Sequence, residues 1–385
     1  MPDFIPFNKI SKDKSEFEAM ALALDGDCWH GDGPASKRVE SYLCRWLDVS
    51  HVFLTTSCTH ALEMAMMVLG IREGDEVIMP SFTFVSTANA VRMRGGIPVF
   101  AEIRSSDLTL DAQDVATKIT PATRAVVPVH YAGVAADLDG IRNAINGRNI
   151  AIVEDAAQAV GAFWNERALG TLGDIGCLSF HDTKNITCGE GGAFLTNDAD
   201  LAEKAEWIRE KGTNRSAFLR GEVDKYTWIS QGSSYIPSDL LAALLEAQLR
   251  KKDVIHDARR RVWETYRNRL AELQNKGWIS LPEIPGYARP NYHIFHFHVR
   301  EAADRNPLLD LLKKAGIGAT FHYIPLHNAP YAVNTLKQKL PLTRTEKLAD
   351  TLIRLPLYPG LDDIREDVAD RVLKVLTRYY STGGR

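Results

Sequence analysis

Residues 51–70 read HVFLTTSCTHALEMAMMVLG. A run rich in β-branched and aromatic side chains passes directly into a helical repeat, with Ser57, Cys58 and Thr59 at the junction. A strand that feeds a helix through so short a turn is half of a strand–helix–strand unit. The pattern repeats outward. EVIMPS (76–81) precedes FVSTANAVRMRG, and PVFAEI (98–103), RAVVPVH (124–130), IAIVED (150–155), IGCLSFH (175–181) and GAFLTN (192–197) come after it. Several of these runs are apolar at successive positions, as strands covered on both faces are. The expected fold class is therefore α/β, with a large, mainly parallel seven-stranded sheet wrapped by helices.

Beyond residue 238 the texture changes. SDLLAALLEAQLRKKDVIHDARRRVWETYRNRLAEL (238–273) carries one helical period with no Pro or Gly, and Ser238 or Asp239 can cap its start. NYHIFHFHVR (291–300) alternates like a strand, while NPLLDLLKKAG (306–316) and DVADRVLKVLTRYY (367–380) read as helices. We expect a large α/β domain over 1–250, including the N-terminal segment, and a smaller α+β domain over 251–385. The closing STGGR reads as a frayed tail.

The formal net charge of -3 gives no electrostatic case for nucleic acid or an anionic membrane. No apolar run approaches the roughly 20 residues that span a bilayer. The opening MPDFIPFNKISKDKSEFEAM lacks the basic-then-apolar pattern of a signal peptide. Cys28, Cys44, Cys58, Cys177 and Cys188 are scattered without CxxC spacing, which favours reduced thiols over a zinc or disulfide framework. The expectation is a soluble cytoplasmic enzyme without a metal. No GxGxxG follows a strand, which disfavours a nicotinamide dehydrogenase.

In open α/β sheets ligands collect at the carboxyl ends of the strands. Three such ends are unusual. Ser57-Cys58-Thr59 opens a helix, where backbone N–H groups and hydroxyls suit a phosphate, although a plain N-cap explains the same residues. Asp155 ends an apolar strand, where a carboxylate needs either a helix to cap or a cation to face. In SFHDTKNITCGEGG (179–192), Ser179 lies in a strand and Lys184 follows it, ahead of a glycine cluster. An exposed loop lysine is the ordinary reading; an amine partly desolvated in a cleft becomes a nucleophile instead. A phosphate cradle, a carboxylate and a lysine on neighbouring strand ends together suggest pyridoxal 5'-phosphate. The lysine would join its aldehyde and the aspartate would hold its ring nitrogen protonated. Phe84, after another strand, could stack on the ring or pack in the core.

These residues resemble the sugar-nucleotide aminotransferases of the DegT/DnrJ/EryC1/StrS type, within the aspartate-aminotransferase superfamily (fold type I). The likeness covers nearly the whole chain. Ser57-Cys58-Thr59 matches a Ser-Gly-Thr-like phosphate turn, with Cys58 in place of the glycine. PSFTFVST (80–87) matches PSxTFxAT, which places Phe84 at the ring-stacking position. Glu154 to Gln158 matches EDxAQ, which implies Asp155 on the pyridine nitrogen and Gln158 near the phenolic oxygen. Residues 179–192 match SFHxxKxxxxGEGG, which implies Ser179 on the phosphate and Lys184 as the covalent lysine. Where many members carry GYNYRM, this chain reads GSSYIP (232–237), so Ser234 stands where an asparagine reaches the neighbouring subunit's phosphate.

The resemblance implies a homodimer with shared active sites, a nucleotide-sugar acceptor and L-glutamate as donor. GDEVIMPSFTFVSTANA, VPVHYAGVAADLD, REKGTNRS, VDKYTW and HYIPLH are most similar to members that aminate dTDP-4-keto-6-deoxy-D-glucose in the enterobacterial common antigen pathway. It also implies substrate contacts from His322, Tyr323 and His327, although histidine and aromatic packing at a domain junction explains these as well. Lys211 and Arg215 are candidates for the diphosphate. Other readings stay open: a 4-aminotransferase giving the gluco epimer, a 3-aminotransferase, a sugar 3-dehydratase, whose members carry histidine at the lysine position, and a non-catalytic regulatory protein on the same fold.

Overall fold

Each of the seven apolar runs forms a strand of one sheet. They are β1 (His51–Thr55), β2 (Glu76–Pro80), β3 (Ile97–Ala101), β4 (Thr123–Val126), β5 (Ala151–Ala156), β6 (Ile175–Ser179) and β7 (Gly192–Thr196). The structure, a computed structural model, describes residues 3–336 and 341–383; the last two residues of the STGGR tail lie outside that range. The sheet order is β1-β7-β6-β5-β4-β2-β3. β7 is antiparallel to both neighbours and every other pairing is parallel. Both faces are covered, and alternate side chains feed two cores. Leu54, Ile78, Val126, Ile152, Leu178 and Leu195 face one; Val77, Met79, Ala125, Val153, Cys177 and Phe194 face the other. That two-sided burial is why the runs are apolar throughout rather than alternating.

Two helices start at the carboxyl ends of strands, the edge where ligands of such sheets collect. They are α1 (Cys58–Val68) after β1 and α2 (Val85–Met93) after β2. The helical run expected over 238–273 is two helices, α3 (Asp239–Arg250) and α4 (Lys252–Asn275), broken at Lys251 with φ -100 and ψ 4. Ser238 caps α3 by accepting from Leu240 N at 3.2 Å. The break has a tertiary cause. The Lys251 ammonium pairs with Asp13 and Glu16, and Gln248 donates to Ser11 O, so the N-terminal segment holds the bend.

The C-terminal part carries a small antiparallel sheet of β8 (Ile279–Ser280), β9 (Phe295–Val299) and β10 (Leu352–Leu355), in that order. It is packed by α4, α5 (Ala302–Lys314) and α6 (Arg365–Ser381) around Val262, Tyr266, Phe297, Leu308 and Leu376. The N-terminal stretch differs from expectation. Ile5 belongs to this C-terminal core and not to the large sheet, and it bonds Gly316 and Gly318 through its backbone. Among the described residues no helix is long and apolar enough to cross a membrane.

Candidate active site

The ends of β1, β5 and β6 and the turn after β2 open on one cavity of about 390 Å³ between the large sheet and the C-terminal part. Ser57, Cys58, Thr59, Phe84, Asp155, Gln158, Ser179 and Lys184 line one side; Arg259, His293, His322, Tyr323 and Arg354 line the other. Residues far apart in the chain are thus brought together by the sheet's parallel order, which carries successive strand ends to one edge.

At the start of α1, Ser57 is the extended N-cap and its Oγ accepts from His60 N at 3.1 Å. The N–H groups of Cys58 and Thr59 have no partner among the described residues, and the Thr59 hydroxyl lies 2.8 Å from that of Ser86. Such a helix start presents donors and the positive end of its dipole. Gly192 of β7 runs against this turn. A Cβ there would sit 2.4 Å from Cys58 N, so only glycine allows the approach.

Adjacent acids on β5 meet opposite fates because strand side chains alternate. Glu154 faces inward and accepts from His130 and from Gly170, Leu172 and Gly173 N at 2.6–2.9 Å. Burial alone would raise its carboxyl, yet His130 and these N–H groups hold it below the usual range. Asp155 faces the cavity, and among the described residues its donors are Thr87 Oγ1 (2.8 Å) and Ala157 N (3.2 Å). Burial pushes its carboxyl up, and those two donors only partly offset it. Among the described residues no cation is in hydrogen-bond contact with this side chain, so a protonated aromatic nitrogen would complete it.

Lys184 sits on a loop closed by Asp182 N to Gly189 O (2.9 Å) and Phe180 N to Gly191 O (2.8 Å), with Gly189 at φ 87 where a side chain would be strained. Burial holds its amine below the usual lysine value; Arg354 adds to this, and Cys58 and Asp155 oppose it. Phe84 is 56% exposed, so its ring is not committed to the core and a face is free for a planar partner. Gln158 takes a hydrogen bond from Ala132 N (2.7 Å) and donates to the Tyr323 hydroxyl (3.0 Å). The open N–H groups, the serine and threonine hydroxyls, the incomplete carboxylate and the enclosed amine together fit pyridoxal phosphate.

The structure does not bring every expected residue to this cavity. His327 is buried, with Nδ1 on Ser81 Oγ (2.6 Å) and Nε2 on Glu346 (2.9 Å). Neither ring nitrogen is left for a substrate, which corrects its reading as a substrate contact. Lys211, Arg215 and Ser234 are exposed and outside the cavity lining of their own chain. Arg215 is bound to Glu210 at 2.8 Å. Of the histidines in HIFHFH, His293 lines the cavity, whereas His296 packs on Tyr131 and His298 bonds Thr351.

Sequence reasoning named His322 and Tyr323 on the opposite wall but missed its two arginines. Among the described residues Arg259 bonds the carbonyls of Tyr292 and His293, and burial lowers its guanidinium to about 9. Arg354 bonds Phe321 O at 3.1 Å and lies over the Phe7 ring. Neither forms an ion pair among the described residues. The signal for Arg259 was present: it falls on the buried stripe of α4 with Ile255, Ala258 and Val262, where a charge needs a reason.

A profile of the DegT/DnrJ/EryC1/StrS aminotransferases matches residues 11–376. The chain belongs to this family. Its cofactor is pyridoxal 5'-phosphate and its reaction is transamination. Solved structures agree in fold along the whole length. The aminotransferase TlmJ from Streptoalloteichus hindustanus is 30% identical, over 97% of this chain and 99% of that one, with a TM-score of 0.89. DesV from S. venezuelae is 31% identical, over 95% and 94%, with a TM-score of 0.85. NtdA from Bacillus subtilis, solved with bound cofactor PMP, is 29% identical, over 97% and 86%, with a TM-score of 0.86. These are relatives of a fold-type I aminotransferase with this architecture.

Proposed function

We propose that this aminotransferase moves the amino group of L-glutamate to C4 of dTDP-4-keto-6-deoxy-D-glucose, releasing dTDP-4-amino-4,6-dideoxygalactose and 2-oxoglutarate. The observation that carries the reading is the shared cavity of Lys184 and Asp155, with the phosphate-ready start of α1 beside them. The bound cofactor supplies an electron sink that acidifies the donor's α-carbon. Lys184 Nζ removes that proton in the first half-reaction and delivers one to the sugar's C4 in the second. Asp155 would keep the ring nitrogen protonated, Phe84 would cover one ring face, and Ser57, Thr59 and Ser179 would hold the phosphate. Arg259 and Arg354 leave the opposite wall cationic, which suits a dicarboxylate donor and a nucleotide diphosphate in turn. The lysine at position 184 weighs against a sugar dehydratase.

The enzyme acts as a homodimer in which Ser234, Lys211 and Arg215 of one subunit face the partner's cavity. Its five unpaired cysteines suit a reducing cytoplasm. The test is incubation with the dTDP-keto sugar and ¹⁵N-glutamate, followed by NMR of the sugar product. An axial ¹⁵N-amine at C4 is expected. Nitrogen at C3, an equatorial amine, or no nitrogen in the product would overturn the assignment.

A further inference from the structure

Of the three histidines that line the cavity, His181 bonds Thr183 on the Lys184 loop, whereas His322 and His293 lie on the opposite wall, each with one ring nitrogen committed to a neighbour outside the cavity. The identity of that neighbour decides where the proton sits. Tyr131 is fully buried and its hydroxyl lies 2.7 Å from His322 Nδ1, its one hydrogen-bond partner among the described residues. A buried phenolic proton needs an acceptor, so Nδ1 of His322 is bare and the ring's proton is on Nε2. For His293 the logic runs the other way. Asn185 Nδ2 donates to Asn291 O at 2.8 Å, and a backbone carbonyl only accepts, which orients the amide. Asn185 Oδ1 then faces His293 Nδ1 at 2.8 Å, so Nδ1 must carry the proton and Nε2 is bare. Neither Nε2 is paired among the described residues, and both rings line the cavity.

Both rings are also kept neutral. Burial pushes each well below the usual histidine value, and the cations Lys184 and Arg354 add to it, with Arg259 also acting on His293. The His322 ring is further fixed by stacking on Tyr323 at 3.6 Å.

We infer that His322 and His293 form a matched pair for the acceptor, an Nε2–H donor and a bare Nε2 acceptor, each locked by a positioning residue, Tyr131 and Asn185. Resting on the proposed function, the pair reads an α-hydroxy ketone. The sugar's carbonyl oxygen, which only accepts, takes the His322 proton in a hydrogen bond; the neighbouring hydroxyl donates to His293. A deoxy analogue lacking that hydroxyl leaves His293 unpaired and is discriminated against.

The test uses holoenzyme labelled with ¹⁵N-histidine and long-range ¹H–¹⁵N spectra, assigned with His322→Gln and His293→Gln. His322 is expected as the Nε2–H tautomer and His293 as the Nδ1–H tautomer. Tyr131→Phe should convert His322 to a mixture of tautomers and leave His293 unmoved. In stopped-flow measurements the same variant should slow the sugar half-reaction by about tenfold, the size of one hydrogen bond, with the effect confined to that half. The opposite tautomer on either ring, or a Tyr131→Phe effect that is absent or equal in both half-reactions, overturns the inference. If wild-type enzyme transfers no nitrogen to the sugar, the function has failed, and the spectra still decide the tautomers.

Discussion

At the end of β6 one amine faces Asp155, Cys58 and Arg354 across a shared cavity. Its lowered pKa means that, at any pH below the ordinary lysine value, more of Lys184 is neutral and nucleophilic than of an exposed lysine. The apoenzyme should therefore trap pyridoxal phosphate selectively. After borohydride reduction at pH 8 and peptide mapping, Lys184 is expected to carry the label ahead of the surface lysines. Lys184→Ala should lose that label and cut turnover by about a thousandfold, the range of a missing general acid–base. Labelling spread evenly over the lysines would contradict this account. Lys184 was legible because a strand end, a lysine and a glycine cluster stand together in the sequence. The commitment of both His327 nitrogens was not, because Ser81 lies 246 residues away and only the folded chain places it there.

At the scale of elements, α4 packs His256 against the loop after β5. A Cβ on Gly161 would sit 2.2 Å from His256 Cε1, so the ring fills the space a glycine leaves. Burial, with Arg259 adding, lowers this histidine from 6.5 to about 4. Because the folded value lies below the unfolded one, the unfolded chain binds the proton first. Stability from this residue is intact above pH 6.5 and is lost as pH falls toward 4, amounting to about 3 kcal/mol. His256→Gln should flatten that dependence. Urea unfolding at pH 7 and pH 4.5 measures it, and an equal acid loss in both proteins would sink the claim. The same helix marks the limit of reading elements from sequence. Each strand run showed itself through two-sided burial, and Ser238 announced a cap. The break at Lys251 carries no Pro or Gly signal, since Asp13 and Glu16, far away in the chain, impose it.

At the scale of the whole molecule, one chain leaves much unfinished. Trp228 is 80% exposed, Leu22 75% and Phe17 66%, large apolar side chains that the single chain leaves in solvent. Ser234 lies on the exposed segment that also carries Trp228, away from its own cavity. A two-fold dimer would cover such a surface and turn Ser234 toward the partner's phosphate turn. Two inactive variants then rescue each other. Lys184→Ala subunits refolded with equal Ser234→Trp subunits should give hybrids with one dead site and one intact site. With random pairing, half of the dimers are hybrids, and recovered activity should reach about a quarter of wild type. If Ser234 served its own chain's cavity, every site in the hybrid would carry a lesion and no activity would return. Sedimentation of the unmixed enzyme at the mass of a single chain would refute the arrangement directly.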